Sequence, residues 1–491
     1  MPGRIDEIAA HRLAKLGRIR EKGLDPYPHR FQRSHSTAKA VALFLQAEAN
    51  GAERPGPVTV AGRIVRLRDM GRATFMDLRD GTGKLQVMAS AKDLGAEQYE
   101  GLRELDIGDF LGVEGVMFRT RTGEITVAAH SCRLLAKSLQ PLPEKWHGLT
   151  DVEKRYRQRY LDLISSEQTR AVFAARTRIT SALRRFLDER GFLEVETPVL
   201  HDTAGGAMAR PFVTYHNALD RKLYLRIALE LHLKRLIVGG IDRVYEIGRI
   251  FRNEGLSTRH NPEFTLLEAY QAYADYNDMM ALVEEMVSGL AQDVTGATSV
   301  TFAGTAVDLR PPWKRQTLRE AILEQTDIDF LAHDAGSLRE EMRSRGLDAP
   351  EGASRGKLAD MLLDACVQPA LIQPTFLLDY PLDISPLAKR KPGQPELVER
   401  FEGFAGGMEI ANAFSELNDP LEQRERFREQ MRQREAGDEE AEVPDEDFLL
   451  ALEYGMPPTG GLGVGVDRLV MLLTDQQSIR DVILFPQLRS K

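Results

Sequence analysis

Residues 243–271 read RVYEIGRIFRNEGLSTRHNPEFTLLEAYQ, and their pattern decides the architecture of the larger part of the chain. Val244 to Arg252, rich in β-branched and aromatic residues, reads as a strand. Gly255 to Pro262 is a loop, in which Pro262 forbids a helix start. Phe264 to Tyr270 predicts a second strand, antiparallel to the first. On a two-residue repeat Arg252 and Glu254 share one face, and Glu268 and Tyr270 share one face of the partner strand. Burying unpaired charges costs on the order of several kcal/mol or more. This face of a mostly apolar hairpin therefore either meets a charged ligand or pairs its charges in a surface network.

Two stretches toward the C-terminus carry similar signals. Pro457 to Arg468, PPTGGLGVGVDR, runs straight into an apolar helix, and its glycines permit close backbone approach. The spacing is not a dinucleotide-binding fingerprint, because Val466 stands where the third glycine belongs. No Walker A pattern occurs in the chain, so any use of ATP follows another scheme. Arg468, at the junction of strand and helix, is placed to stack on a base or meet a phosphate. Glu402 to Glu416 reads EGFAGGMEIANAFSE, with Asn412, Phe414 and Glu416 on one strand face. Glu402 and Glu409 are the pair to hold Mg²⁺, a hard ion that favours carboxylate and phosphate oxygens. Glu409 has the wrong parity to share a face with Asn412, so either a bulge intervenes or Glu409 lies outside the site.

The N-terminal part differs. Ile5, Ile8, Leu13, Leu16 and Ile19 recur at helical spacing over 4–24, with Gly23 as the stop. Five short β-rich runs follow between 57 and 137, with turns such as Asp80 to Gly83, and suggest a small barrel of the OB or SH3 type. Leu139 to Pro143 is a proline-bearing linker. Residues 176–190 predict an amphipathic helix with Ile179, Leu183, Phe186 and Leu187 on one face, 316–370 a polar helix-rich insertion, and 421–447 a highly charged helix.

At 491 residues the chain exceeds one ordinary core, so two or three domains are expected. Cys132 and Cys366 are too few for a disulfide framework or a Cys-rich zinc site and read as buried small apolar residues. The charged N-terminus and the lack of a long apolar run imply no membrane span and a cytoplasmic location. A formal charge of −9 weighs against nucleic-acid binding by the whole surface. The first 40 residues are nevertheless rich in Arg and Lys, either a phosphate-gripping arm or a solvated helix face.

Taken together, these segments resemble the three motifs of class II aminoacyl-tRNA synthetases. The helix with Gly191 to Pro198, GFLEVETP, looks like motif 1, Phe251–Glu254 to Glu268 like motif 2, and Gly461 to Arg468 like motif 3. Within that family the chain is similar to bacterial lysyl enzymes over nearly its whole length. The similarity is carried by Trp146 to Asp151, Arg155 to Leu163, Gly205-Gly206-Ala207 with Arg210-Pro211-Phe212, Leu233-Lys234-Arg235, Arg259 to Thr265 and Phe414 to Asn418. It departs at Leu229, where many lysyl enzymes have proline, at His232, where they have tyrosine, and at Met208, where they have a small residue.

The resemblance implies an α+β protein. A helical arm over 1–56 precedes an OB-fold anticodon-binding domain over 57–140 and a linker over 141–170. A catalytic domain over 171–491, an antiparallel sheet flanked by helices, carries the insertion near 316–370. It implies a homodimer joined through motif 1, with ATP, L-lysine and tRNA(Lys) as substrates and Mg²⁺ as the metal. Arg252 would hold the substrate carboxylate and α-phosphate, and Glu254 would read the adenine amino group. Phe264 and Arg468 would sandwich the adenine, and Arg259 would bind the γ-phosphate, with His260 and Asn261 in the same loop. Glu230 and the backbone at Gly206 would take the α-ammonium, while Glu416 and Tyr270 meet the side-chain ammonium. Glu268 would lie nearby, Asn412 on the carboxylate, and Glu402 and Glu409 would carry Mg²⁺. Arg68, Phe75 and Gln86 would contact anticodon bases, Phe75 by stacking.

A carboxylate-rich pocket suits lysine independently of the resemblance; an aspartate pocket needs surplus Lys or Arg. Three other readings compete. An aspartyl or asparaginyl enzyme conflicts with those carboxylates. A relative that modifies a protein lacks the anticodon domain. A degenerate RNA-binding or regulatory module would have lost Arg252, Arg468 or the metal carboxylates, all of which are present. His232 reads as an ordinary helix-surface histidine.

Overall fold

Alternation of buried and half-exposed residues in Val58–Asp69, Ala73–Arg79 and Lys84–Ser90 closes the first part of the chain into a barrel. The computed structural model describes residues 4–51, 56–143, 149–203, 205–435 and 443–489. Trp146, His147 and Gly148 of the linker motif, and 436–442 of the charged stretch, lie outside the described residues. Two units emerge, Met1–Thr150 and Asp151–Lys491.

In the first unit the strand Val58–Asp69 pairs with both Ala73–Arg79 and Phe110–Arg119. Lys84–Ser90 runs parallel to Ile125–Ala136, which returns antiparallel to Phe110–Arg119. This closed five-strand order is that of an OB barrel and removes the SH3 alternative. Val58, Val60, Ile64, Met76, Leu78, Val87, Val113 and Val127 fill its interior. Helix Arg4–Glu21 stops before Gly23, whose φ of 71° suits a residue without Cβ. Arg12 of that helix is anchored by donating to the carbonyls of Ile107 (2.9 Å) and Gln140 (2.7 Å).

The second unit is built on one large sheet. From one edge its strands are Lys314–Thr317, Thr375–Pro381, Gln394–Ala405, Met408–Ser415, Thr459–Gly465, Glu263–Ala272, Arg243–Phe251 and Leu193–Glu194. The middle is antiparallel, as expected, but both edge pairings are parallel. Helix Glu167–Asp188 begins earlier than its apolar stripe suggests, because Ser166 caps it by accepting from the Thr169 amide at 3.0 Å. It packs Val172, Ile179, Leu183 and Leu187 on the sheet together with Tyr276–Thr295. The insertion forms helices Leu318–Thr326, Ala335–Ser344 and Arg355–Leu362 around Phe330, Leu338 and Leu358. Part of the charged stretch is the helix Pro420–Glu435.

Two details of the hairpin and its neighbour differ from the two-residue repeat. The first hairpin strand ends at Phe251, so Arg252 and Glu254 lie beyond it on the loop rather than on a shared strand face. In the Glu402–Glu416 stretch the register slips between Gly403 and Phe404: Ala411 faces Gly403 while Glu409 faces Phe404. Ile410 is the extra residue, and this bulge resolves the parity conflict by turning Glu409 toward the same side as Asn412. Both cysteines are free and half-buried. Among the described residues no helix is long and apolar enough to cross a membrane.

Candidate functional site

Strand register assembles the site. One row across the sheet reads Glu402, Asn412, Gly463 and Glu268, and the next reads Arg400, Phe414, Gly461 and Tyr270. The glycine strand in the middle carries no side chains on this face, so charged rows from either side converge on a hollow of about 440 Å³. A Cβ at Gly461 would lie 1.8 Å from Glu416 Oε1 and 2.6 Å from Tyr270 Cε1, so only glycine lets both side chains occupy that corner.

At one end the hollow is acidic. Glu268 accepts from the Leu229 amide (2.9 Å) and the Tyr270 hydroxyl (3.0 Å), yet burial pushes its carboxyl up to about 7. Burial also raises the carboxyls of Glu230 and Glu416. Gly206, at φ 89°, crosses so close that a Cβ would meet Ala228 at 3.2 Å and Glu230 Cβ at 3.5 Å. That contact brings its backbone to Glu230. Behind these groups the fully buried Lys234 bridges Glu230 and Glu416 through its ammonium. Burial opposes that charge, but the two carboxylates outweigh it and hold the Lys234 ammonium above its ordinary value.

The other end is basic. Arg252 donates through Nε to the Ile227 carbonyl (3.3 Å) and stacks 5.3 Å from the Phe264 ring centroid. Glu254 and Arg259 line the same wall. Arg259 Nη1 donates to the Gln368 amide oxygen (2.9 Å) when that amide is turned to donate to Asp364 Oδ1 (3.0 Å). Arg468 donates to the Glu409 carbonyl (2.9 Å) and carboxylate (2.8 Å), and its other nitrogen lies 3.3 Å from His260 Nε2. Asn261 lines the hollow, but its amide donates to the Glu263 carbonyl (2.6 Å) and accepts from the Gln487 amide (3.2 Å), which pins the loop.

Glu409 lines the hollow, whereas Glu402 sits behind that surface and accepts from Arg400 at 2.7 Å. Burial, reinforced by the neighbouring Glu409 charge, pushes the Glu402 carboxyl up to about 8. Among the described residues no three His, Cys, Asp or Glu side chains form a closed metal cage. Glu402 and Glu409 each hold an arginine, Arg400 and Arg468, yet burial beside the Glu409 charge still raises the Glu402 carboxyl, so the pair fits a hard ion such as Mg²⁺ completed by phosphate oxygens.

Several residues of the site were not singled out in the sequence. Arg400 lines the hollow and donates to Asn412 Oδ1 at 3.2 Å, and Lys357 and Asp360 reach it from the insertion helix Arg355–Leu362. The signal available for Lys234 was its helical i,i+4 spacing from Glu230 on an otherwise apolar helix face. His232 is not a surface histidine: it is half-buried, with its ring centroid 4.6 Å from that of His201. Met208 lines the hollow and Leu229 is buried at its edge.

In the barrel, Arg68 is directly opposite Phe75, and Gln86 opposite Asp77, with Phe75 and Asp77 on one side of their strand. Met76, Leu78 and Val87 point inward, so Arg68, Phe75 and Gln86 share the outer face. Gln86 Oε1 accepts from the Thr126 hydroxyl at 2.9 Å.

Comparison with known proteins agrees with this geometry. Residues 151–489 match the model of "tRNA synthetases class II (D, K and N)", and residues 58–135 that of an "OB-fold nucleic acid binding domain". A lysine–tRNA ligase of Dehalococcoides mccartyi is 57% identical over 486 residues, covering 99% of this chain and 98% of the relative. Those of Moorella thermoacetica and Carboxydothermus hydrogenoformans are 56% and 52% identical, over 99% of this chain and 98% and 99% of the relatives. With its barrel, its sheet and matches of this extent, the chain belongs to the class II tRNA synthetases of the aspartate, lysine and asparagine group, and within it to the lysine–tRNA ligase family.

Proposed function

We propose that this protein activates L-lysine with ATP, forming lysyl-adenylate and pyrophosphate, and then transfers the lysyl group to the 3′ end of tRNA(Lys). The observation that carries the choice of amino acid is the acidic end of the hollow, where Glu230, Glu268 and Glu416 are buried within reach of one ligand. Two ammonium groups supply what those carboxylates lack, whereas a ligand with a side-chain carboxylate would add to their excess.

In the first step a carboxylate oxygen of lysine attacks the α-phosphorus in line, and the bond to the bridging oxygen of pyrophosphate breaks. The step requires no general base, so the residues act by positioning and by charge. Arg252, held between the Ile227 carbonyl and the Phe264 ring, receives the lysine carboxylate and the α-phosphate, with Asn412 on the same carboxylate. Glu254 reads the adenine amino group, while Phe264 and Arg468 close on its two faces. Arg259, braced by Gln368, takes the γ-phosphate, with His260 beside it and Asn261 fixing the loop. Glu230 and the Gly206 backbone hold the α-ammonium, and Glu416 with Tyr270 and Glu268 the side-chain ammonium. Glu402 and Glu409 would hold Mg²⁺, which when bound offsets phosphate charge.

In the second step the terminal hydroxyl of tRNA attacks the carbonyl of the adenylate and AMP leaves. The outer barrel face with Arg68, Phe75 and Gln86 reads the anticodon by stacking and hydrogen bonding. We further infer a homodimer. The motif 1 region exposes Leu193, Val199, Leu200, Val213 and Tyr215, each at least 39% accessible, an apolar surface suited to a second copy. A cytoplasmic location accords with free thiols at Cys132 and Cys366.

The test is ATP–pyrophosphate exchange with each standard amino acid in turn. Exchange with lysine alone is expected. Exchange with aspartate or asparagine would overturn the assignment of the acidic end, and exchange with none would favour a regulatory RNA-binding role.

A further inference from the structure

Behind the acidic end of the hollow lies a charged residue that does not line it. Lys234 has no exposed surface, and its ammonium bridges the carboxylates of Glu230 and Glu416. The aromatic rings of Phe414 and Phe448 pack 5.4 Å and 5.8 Å from the same nitrogen, so it has no path to solvent on those sides. Fully buried lysines are rare, and burying one is expensive unless it is paired. Here the partners are the residue assigned to the α-ammonium and the residue assigned to the side-chain ammonium.

Counting charges gives the consequence. Glu230, Glu268 and Glu416 bring three negative charges and Lys234 one positive, which leaves two negative charges at this end. One lysine molecule brings two ammonium groups, and its carboxylate goes to Arg252. We propose that Lys234 is a specificity-determining positioning residue: it cross-links Glu230 to Glu416 and sets the charge of the amine-binding end to match a dication. The proposal rests on the lysine reading of the site. A ligand with one ammonium leaves a buried negative charge uncompensated and is rejected on that ground.

Two further cations favour the ionised forms, Arg252 at Glu268 and Arg400 at Glu230, but Arg252 is assigned to the substrate carboxylate. Arg400 is committed to Glu402, and Arg235, next to Lys234 on its helix, to Asp445 at 2.7 Å. Tyr270 stays neutral, because burial raises its hydroxyl well above the usual value. Without substrate, burial favours the protonated form of the carboxyl that Lys234 leaves unpaired, Glu268 at about 7, so ammonium groups that favour its ionised form link lysine binding to proton release. Removing the Lys234 charge leaves the empty site with about one more proton to release.

The experiment compares wild type, Lys234→Met and the double variant Lys234→Met/Glu416→Gln. Lysine binding is followed by calorimetry in buffers of different ionisation enthalpy, alongside exchange kinetics and thermal unfolding. Lys234→Met is expected to raise KM for lysine by on the order of tenfold or more, to release about one more proton per lysine bound than wild type, and to melt at a lower temperature. The double variant restores two negative charges and should recover the melting temperature, though not the affinity. If Lys234→Met does not fold, recovery of a folded double variant carries the test, because a purely space-filling role predicts no recovery. Unchanged KM and proton release in Lys234→Met, or a double variant less stable than the single, would overturn the proposal. Absence of lysine-dependent exchange in wild type would instead overturn the lysine reading, and the comparison of melting temperatures would still judge the charge balance.

Discussion

Gly461→Ala isolates the geometry of the lysine site from its chemistry. The new methyl would stand 1.8 Å from Glu416 Oε1, 2.9 Å from Glu416 Cδ and 2.6 Å from Tyr270 Cε1. To reach ordinary contact, the carboxylate must retreat by roughly 1.5 Å, beyond hydrogen-bonding reach of its present position. Gly461 is not among the positive-φ residues, so alanine brings no backbone strain there. The variant therefore folds, with an overpacking cost of about 1–3 kcal/mol. Losing one hydrogen bond to a charged group weakens binding by about 1.5–3 kcal/mol, a fall in kcat/KM for lysine of roughly 10- to 150-fold. Arg252, Phe264 and Arg259 are untouched, so KM for ATP should change by less than about threefold, well under 1 kcal/mol. Exchange kinetics with lysine and ATP varied separately read both numbers. A folded variant whose KM for lysine stays within twofold of wild type would refute the assignment of Glu416 and Tyr270 to the side-chain ammonium.

Four other expectations are as specific. Because burial raises Glu268 to about 7 and ammonium groups favour its ionised form, KM for lysine should fall as pH rises from 6 to 8, and Glu268→Gln should flatten that dependence. The sign for stability is opposite: a carboxyl raised in the folded state holds its proton longer than in the unfolded chain, so its contribution to stability is lost as pH rises toward 7, measurable by denaturant titration in the variant and wild type. Glu409→Gln removes one of the two carboxylates offered to Mg²⁺ and frees Arg468 from its 2.8 Å partner, so the Mg²⁺ concentration for half-maximal exchange should rise about tenfold or more. Phe75→Ala should reduce kcat/KM for tRNA by the roughly 1–3 kcal/mol of one stacked base, read as a fall in aminoacylation relative to exchange.

Local pattern carried the architecture because the elements that matter have strong periods. The β-rich runs Val244–Arg252 and Phe264–Tyr270 on either side of a proline-bearing loop placed the hairpin to within a residue or two, and the glycine run announced the strand Thr459–Gly465 that leads into the helix carrying Arg468. The closure of the barrel was less visible. Five strands suit more than one barrel, and only the parallel pairing of Lys84–Ser90 with Ile125–Ala136, a contact between distant segments, separates them. Parity likewise could not decide Glu409, because a bulge is one unpaired residue, here Ile410, whose presence depends on the partner strand.

Lys234 and Arg400 show where sequence reading stops and why. A count of carboxylates along the chain finds Glu230, Glu268, Glu402, Glu409 and Glu416, and suggests a site short of positive charge. The Glu230 to Lys234 spacing is legible as a helical pair, and read alone it is a surface pair contributing a few tenths of a kcal/mol. What makes it different is Glu416, a residue 182 positions further on, brought to the same ammonium by the pairing of Met408–Ser415 with Thr459–Gly465. Arg400 acquires its role in the same way, by lying two residues before Glu402 and directly across from Phe414. Charge balance in a buried site is a sum over residues that only tertiary structure brings together. A cation placed among carboxylates therefore changes the inference from an acidic pocket in general to one matched to a particular number of ammonium groups. If so, specificity here depends on the difference between two buried charge totals, and replacing a residue that never touches substrate should alter it.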